Sequence, residues 1–342
     1  MLNILLKKIN FLLPAILITT GIILVFVMPL KFYSNNDLNI PVSIVNQTAK
    51  AAGSALGGDI SIGLPQSQSI TPLAIDNRTF TGKLSAFSAM VIDSRSNKIL
   101  FSKDSETVRP LASISKLMSA LVLLERNINW QATTTIESVD GNGDNVVNDG
   151  EQYSLEDLWH AALVGSSNRA LQALVRHSGV SSDGFVILMN KKAGELNLNS
   201  LKFTEPTGLS ANNVGNVKDT IFMLKEVLRF EKIYNTLQLP EYFIKPLDKD
   251  KFRRVYSTNW LLTRWVAHNL TAEKIAGKTG FIEDAGYNFV SSFKNLTGRE
   301  IICAVLNSKD NESRFEECRD LVKWSLEKYV WPYQAEYNRL IE

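Results

Sequence analysis

Hydrophobic and polar positions follow several different patterns along this chain, and the changes between them divide it. From Ile9 to Leu30 almost every position is apolar, with Lys7 and Lys8 before the run and Lys31 after it. An uncharged run of that length predicts a bilayer-spanning helix. Met28-Pro29-Leu30-Lys31-Phe32 offers no small-residue cleavage site, so residues 1–32 read as a membrane anchor with the rest of the chain outside the cell. Asn, Ser, Gly, Gln and Thr then dominate residues 33–83, a composition expected of a flexible tether. About fifty residues of such coil span roughly 40 Å, enough to hold a domain above a membrane.

Regular periods begin after that. Apolar runs at Ser88–Asp93 and Lys98–Ser102 flank Ser94-Arg95-Ser96-Asn97 and predict a hairpin. Ile114, Leu117, Met118, Leu121, Leu123 and Leu124 supply a helical period that starts just after Pro110. Further helices are expected over Leu155–Ala173, Phe185–Leu196 and Asp219–Arg229. Strands follow at Lys274–Thr279, Gly286–Lys294 and Ile301–Leu306, and a last helix at Ser313–Lys328. Strands, a helical insertion, more strands and a closing helix make an α+β domain over residues 84–330, with a tail at 331–342. Trp324, Tyr329, Trp331 and Tyr333 are expected to pack around the last helix.

Composition narrows the chemistry. The formal net charge is +2 over 342 residues, which gives no reason to expect a nucleic-acid partner. The only histidines are His160, His177 and His268, and no Gly-x-Ser-x-Gly turn is present, so a Ser-His-Asp hydrolase has no footing. Cys303 and Cys318 are isolated and read as buried thiols, and no zinc spacing or other cofactor motif occurs. Asp140, Asn142, Asp144, Asn148 and Glu151 stand at offsets 1, 3, 5, 9 and 12 of a calcium-type loop. Against that reading, Asn145 replaces the turn glycine, and short Asp/Asn/Gly runs are usually solvated turns.

Three clusters carry the chemistry: Ser113-Ile114-Ser115-Lys116, Ser166-Ser167-Asn168 and Lys278-Thr279-Gly280. Ser113 and Lys116, at i and i+3, share one helix face, where a lysine of lowered pKa can take the serine proton. In the first helical turn, unpaired amides and the positive end of the helix dipole favour a developing negative charge. Lys278 is expected to disfavour the protonated form of Lys116 further. Each cluster alone is short enough to arise by chance; their order and separation together describe serine acyl transfer with a lysine base.

With these motifs the chain resembles the penicillin-binding D-alanyl-D-alanine carboxypeptidases, serine peptidase family S11. The likeness extends to Gly150–Leu158, Pro206-Thr207-Gly208-Leu209, Phe281 and Ala285-Gly286-Tyr287-Asn288, and covers about residues 84–330. It implies a β-lactamase/transpeptidase-like fold, an antiparallel sheet flanked by helices with a helical subdomain, and no cofactor. It also implies roles. Ser113 is the nucleophile, Lys116 its base and Ser166 a proton relay; Asn168, Lys278, Thr279 and Gly280 bind substrate, and the backbone amides of Ser113 and Phe281 form the oxyanion hole. The implied partners are peptidoglycan stem peptides ending in D-Ala-D-Ala and, as acylating inhibitors, β-lactam antibiotics, with the lipid bilayer engaged through the N-terminal helix.

Two departures bear on this. Arg169 follows Asn168 where the family usually has an acid, and Glu205 precedes Pro206 where asparagine is more usual. Glu205 raises a class A β-lactamase as a rival, since those enzymes carry a deacylating glutamate between the second and third motifs. The Pro-Thr-Gly-Leu that follows belongs to the carboxypeptidase pattern, and a loop glutamate is the expectation. The separate β domain that many carboxypeptidases carry after the catalytic one is not expected here, which leaves D,D-endopeptidase action on cross-links open. A low-turnover wall-binding protein on the same fold is the non-enzymatic alternative, against which the intact Ser113, Lys116 and Lys278 stand.

Overall fold

The computed structural model describes residues 71–138, 144–270, 272–332 and 334–341. The expected bilayer-spanning run at Ile9–Leu30 and most of the tether lie outside them. Among the described residues no helix is long and apolar enough to cross a membrane.

Strands β1 (Leu73–Ala74), β2 (Ser88–Asp93), β3 (Ile99–Lys103) and β4 (Arg109–Pro110) precede a 3-10 turn at Ala112–Ser115 and helix α1 (Lys116–Leu124). The short pair β5 (Thr133–Thr135) and β6 (Gln152–Ser154) leads to α2 (Leu155–Leu163), α3 (Asn168–Arg176) and α4 (Ser182–Glu195). Then come β7 (Val214–Gly215), α5 (Val217–Val227), α6 (Glu231–Leu237), β8 (Glu241–Ile244) and β9 (Arg253–Tyr256). The chain ends in β10 (Ala272–Ile282), β11 (Gly286–Asn295), β12 (Glu300–Ser308), α7 (Ser313–Lys328), β13 (Tyr329–Val330) and α8 (Ala335–Ile341).

Five strands form one antiparallel sheet in the order β10-β11-β12-β2-β3. Its central strands are apolar at successive positions because both faces are covered. In β12, Ile302, Ala304 and Leu306 turn to the helical insertion, while Ile301, Cys303 and Val305 turn to α7. The period of two therefore feeds two separate cores. Leu117, Leu121, Leu158, Leu174 and Leu224 belong to the first, and Phe315, Leu321 and Val322 to the second. Cys303 and Cys318 are unbridged and buried in the second core.

The hairpin and the last helix lie where the periodicity puts them. Asp93 closes the hairpin by accepting from the Ser96 amide at 2.8 Å and hydroxyl at 2.6 Å, with Asn97 in the left-handed region at φ 61°. The expected single helix over Leu155–Ala173 is two helices instead. Ser167 caps α3 by accepting from the Ala170 amide at 3.1 Å, and Ser166 takes φ 61°, so the chain breaks between Val164 and Ser167. Helix α6 and the β8–β9 hairpin were too short to stand out in the pattern.

The folded unit also extends further at both ends than residues 84–330. Leu73–Ala74 pairs with Tyr329–Val330, and Phe80 packs edge-on against Phe101 and Trp324 at 5.8 and 6.0 Å. Trp331 and Tyr337 are buried, and the Trp331 indole donates to Asp93 Oδ1 at 2.7 Å. A few large rings in an otherwise polar stretch suffice to hold it, because each finds a prepared site.

The helical insertion is joined to the β8–β9 hairpin through Glu151, which is 3% exposed. Its carboxylate accepts from Arg253 at 2.7 and 2.8 Å, from Tyr153 at 2.6 Å and from Lys249 at 2.5 Å. Burial alone raises its pKa, but these hydrogen bonds outweigh burial and hold the carboxyl well below the usual range. Glu151→Ala is expected to lower stability by about 3 kcal/mol at neutral pH, because Arg253 is left without its counterion. With its folded pKa depressed, the carboxylate contributes above its ordinary value of 4.5 and loses that contribution as pH falls through the folded value. Melting curves of the two proteins should therefore lie far apart at neutral pH and converge in acid.

Candidate active site

The turn that carries Ser113 is shaped by backbone conformation before any side chain acts. Pro110 in β4 pairs with Val214 in β7, and the Leu111 amide donates to the Asn213 carbonyl at 2.8 Å. Ala112 then adopts φ 51°, and the chain turns into the 3-10 segment that runs on as α1. A left-handed alanine costs on the order of 1 kcal/mol and persists only where its surroundings impose it. Two glycines leave room for it here. A Cβ on Gly208, at φ 90°, would fall 2.0 Å from the Ala112 carbonyl oxygen, and one on Gly280 would fall 2.5 Å from that of Leu111.

Lys116 is 0% exposed. Its Nζ donates to Ser113 Oγ at 2.8 Å, to Asn168 Oδ1 at 2.6 Å and to the Thr207 carbonyl at 2.7 Å. An ammonium has three donors, and all three are taken. Burial brings its pKa down to about 7, opposed by the charges of Glu205 and Asp144. The expected contribution of Lys278 falls the other way: repulsion from Lys116 and Arg314 adds to burial in holding Lys278 well below an ordinary lysine. Solvent exclusion, rather than Lys278, lowers the proton affinity of Lys116.

The second cluster forms the opposite wall at the break between α2 and α3. Ser166 Oγ accepts from Lys278 Nζ at 2.6 Å, and Asn168 faces Lys116. The middle residue, Ser167, is buried structure. Asp144 secures this wall, accepting from Ser167 Oγ at 2.9 and 3.0 Å and from the amides of Asn168 and Arg169 at 2.8 and 3.2 Å. A carboxylate there satisfies orphan N–H groups and complements the helix dipole. Arg169, which stands where the family usually has an acid, pairs with Asp149 at 2.8 Å.

These contacts also redistribute the calcium candidates. Asp140 and Asn142 lie outside the described residues. Asp144 is committed to the α3 terminus and Glu151 to Arg253 and Lys249, while Asn148 donates to Glu151 through its amide at 3.0 Å and side chain at 3.2 Å. Among the described residues no cluster of three metal-ligating acids, histidines or cysteines forms.

The third cluster lies on β10, the edge strand of the sheet, which packs against the nucleophile turn. Lys278 is 1% exposed and donates to Ser166 and to the Thr279 carbonyl at 3.1 Å. Thr279 Oγ1 donates to Thr258 Oγ1 at 2.7 Å. Beyond Gly280, Phe281 is half exposed and stacks on Tyr287 with ring centroids 4.3 Å apart. Arg314, at the start of α7, is 6% exposed and donates to the Gly280 carbonyl at 3.1 Å. It lies over the Phe315 ring at 4.9 Å, and burial takes its pKa down to about 10. Three buried basic groups, Lys116, Lys278 and Arg314, thus converge on one cleft, where an anionic group would favour their protonated forms.

Motif reading missed Asp144 in this role, Thr207, Thr258 and Arg314. None stands at a fixed spacing from its partner, so only the Asp-Asn-Gly run and the Pro-Thr-Gly-Leu match hinted at two of them. His160 stacks on Tyr242 at 3.8 Å, away from all three clusters. Glu205 is half-buried, and its carboxylate is taken up by the loop that carries it, accepting from the Thr207 amide and hydroxyl at 2.6 Å each.

Comparison with known proteins supplies the family. The model of peptidase family S11, D-alanyl-D-alanine carboxypeptidase, matches residues 75–310. The D-alanyl-D-alanine endopeptidase of Escherichia coli K12 is 28% identical over 283 residues, covering 78% of this chain and 86% of its own. That of Haemophilus influenzae is 30% identical over 250 residues, covering 71% and 82%. The D-alanyl-D-alanine carboxypeptidase DacF of Bacillus subtilis is 25% identical, covering 71% and 63%. Among solved structures, penicillin-binding protein D2 of Listeria monocytogenes, bound to cefotaxime, superposes with a TM-score of 0.63 at 25% identity, covering 72% of this chain and 100% of its own. The Streptomyces K15 DD-transpeptidase shares the fold, with a TM-score of 0.66 at 21% identity over 73% of this chain and 100% of its own. The α+β sheet-and-helix fold is therefore that of the penicillin-binding transpeptidases, and the chain belongs to serine peptidase family S11, the D-alanyl-D-alanine carboxypeptidases.

Proposed function

We propose that this protein removes the terminal D-alanine from peptidoglycan stem peptides through an acyl-enzyme on Ser113. The observation that carries the reading is the buried Lys116 Nζ, 2.8 Å from Ser113 Oγ, across from a second buried lysine. A neutral Lys116 keeps two N–H bonds, to Asn168 Oδ1 and the Thr207 carbonyl, and turns its lone pair to Ser113. The hydroxyl proton passes to that nitrogen as Ser113 Oγ bonds to the carbonyl carbon of the penultimate D-alanine. The backbone amides of Ser113 and Phe281 meet the oxyanion. As the C–N bond breaks, Ser166 relays the proton held by Lys116 to the leaving amine, and Lys116, neutral again, accepts a proton from the water that then hydrolyses the ester. Lys278, Thr279 and Gly280, with Arg314 behind them, form the subsite for the α-carboxylate of the leaving residue, and Asn168 holds the peptide backbone. β-Lactams, which carry a carboxylate beside a strained amide, would acylate the same serine.

A second reading has its own support. Two relatives at 28% and 30% identity are named endopeptidases, so cleavage of D,D cross-links is the alternative within this chemistry. The engagement of Glu205 within its own turn favours both over a lactamase with a deacylating glutamate. The apolar run at Ile9–Leu30 and the polar stretch after it support a single-pass anchor with the catalytic domain outside the membrane.

A fluorescent penicillin should label the wild-type protein and not Ser113→Ala, and the variant should release no D-alanine from a D-Ala-D-Ala peptide. Labelling that survives the substitution sinks the acyl-enzyme. Product analysis separates the two readings: free D-alanine from linear peptides marks a carboxypeptidase, and loss of dimeric muropeptides without it an endopeptidase. Because Lys116 must be neutral to act, the acylation rate should rise through an acid limb centred near its pKa of about 7. A rate flat between pH 5 and 9, a range of about two units on either side of that value, contradicts a lysine base.

A further inference from the structure

Glu205 stands outside the three motifs, yet the geometry of the base is built on it. One carboxylate oxygen accepts from the Thr207 amide and hydroxyl at 2.6 Å each, and the other from the Gly208 amide at 2.5 Å and Asn213 Nδ2 at 3.0 Å. Asn213 also donates to the Glu205 carbonyl at 2.8 Å and accepts from the Thr204 and Glu205 amides at 2.7 and 3.2 Å. The resulting tight turn is fixed to α1 at two points. Ser119 Oγ donates to the Pro206 carbonyl at 2.6 Å, and Lys116 Nζ to that of Thr207 at 2.7 Å.

This turn decides where the Lys116 lone pair points. A neutral amine has two hydrogens and one lone pair, and it meets three oxygens here. Ser113 receives the lone pair only if both other oxygens hold the hydrogens. Asn168 supplies one of them from α3, and the Thr207 carbonyl supplies the other. With that carbonyl displaced, a hydrogen is released toward Ser113 and the nitrogen no longer accepts from it. Gly208 in the same turn backs the Ala112 carbonyl, so displacement also loosens the nucleophile's own turn.

We propose that Glu205 is a positioning residue of the D,D-peptidase reaction: by gathering the donors of its turn it presents the Thr207 carbonyl to Lys116 and aims the base at Ser113. This rests on the Ser113 acyl-enzyme reading above. Glutamine does not replace the carboxylate, because both oxygens face donors and an NH2 group would confront one set of them. The charged groups facing Lys116 are Glu205 from its turn, Asp144 at the α3 terminus and Lys278 on β10. Removing the Glu205 charge leaves Asp144 and Lys278 in place and makes Lys116 easier to deprotonate.

The test is the rate of Ser113 acylation by a fluorescent penicillin, measured against pH and penicillin concentration in wild type, Glu205→Gln and Glu205→Asp. Folded Glu205→Gln should lose about tenfold to a hundredfold in the maximal acylation rate, with little change in penicillin affinity. Its acid limb should move to lower pH by about one pH unit. Glu205→Asp, which keeps both acceptors, should recover part of the rate and return the limb toward wild type. A wild-type rate and limb in folded Glu205→Gln overturn the proposal, as does a rate loss that tracks the melting temperature while the limb stays still. Should Glu205→Gln not fold, Thr207→Val, which removes one donor to Glu205 and keeps the carbonyl, should show a smaller rate loss; an unchanged rate overturns the proposal. A wild-type protein that takes no label at Ser113 overturns the acyl-enzyme reading and this proposal with it, an outcome distinct from a labelled wild type with an indifferent Glu205.

Discussion

A lysine amine sealed from water and held by three oxygens, none of them a carboxylate, is the constraint around which this domain is arranged. In water the ammonium form of a lysine is favoured by several pH units at neutrality, and no local motif alters that. Removing the solvent does. The first core draws on the apolar side chains of α1, α2, α3 and α5, and Lys116, at the start of α1, is fully buried. Each wall of the cleft then contributes one contact: Ser113 from the 3-10 turn before α1, Asn168 from α3, and Thr207 from the loop before β7.

Holding three walls at hydrogen-bond distance requires backbone that ordinary residues avoid. Ala112 and Ser166, one beside the nucleophile and the other in the opposite wall, both take left-handed conformations. Their cost, about 1 kcal/mol or more each, is offset by glycines that admit a neighbouring chain and by caps that tie down loose amides. Gly208 and Gly280 do the first, and Asp144 and Glu205 the second. The two carboxylates have a double effect: they complete the walls, and their charge keeps Lys116 from becoming a still weaker base. Proton affinity at the site is thus a balance between burial and two acids placed just beyond contact.

The sheet delivers the opposite side of the cleft. As an edge strand, β10 pairs only with β11 and leaves its other side to the nucleophile turn, which places Lys278 where Ser166 can reach it. Asn288 on β11 donates to the Pro110 carbonyl at 3.0 Å, and Arg314 reaches the Gly280 carbonyl from α7. Strand and turn are therefore fixed to each other by side chains from elements far apart in the chain.

Much of this was legible beforehand. Alternation marked β2, β3 and the three long strands, the 3.6 period marked α1, α4, α5 and α7, and the three short motifs named Ser113, Lys116, Ser166, Asn168 and Lys278. These are local properties: a repeat, a cap, a pair at i and i+3. The break between α2 and α3 was missed because apolar periodicity continues across it, and the capping partner that favours the break, Asp144, lies 23 residues from Ser167. Asp144 and Glu151 were grouped by spacing as one candidate loop, whereas folding sends one to α3 and the other to Arg253. Sequence alone therefore determined which residues are candidates for the chemistry and, for Lys116 and Lys278, the elements on which they ride. Tertiary structure decided which of them meet, how far Lys116 is removed from water, and which distant groups, Glu205, Asp144, Thr258 and Arg314, hold the cleft in place, because desolvation and long-range contact exist only once the chain has closed on itself.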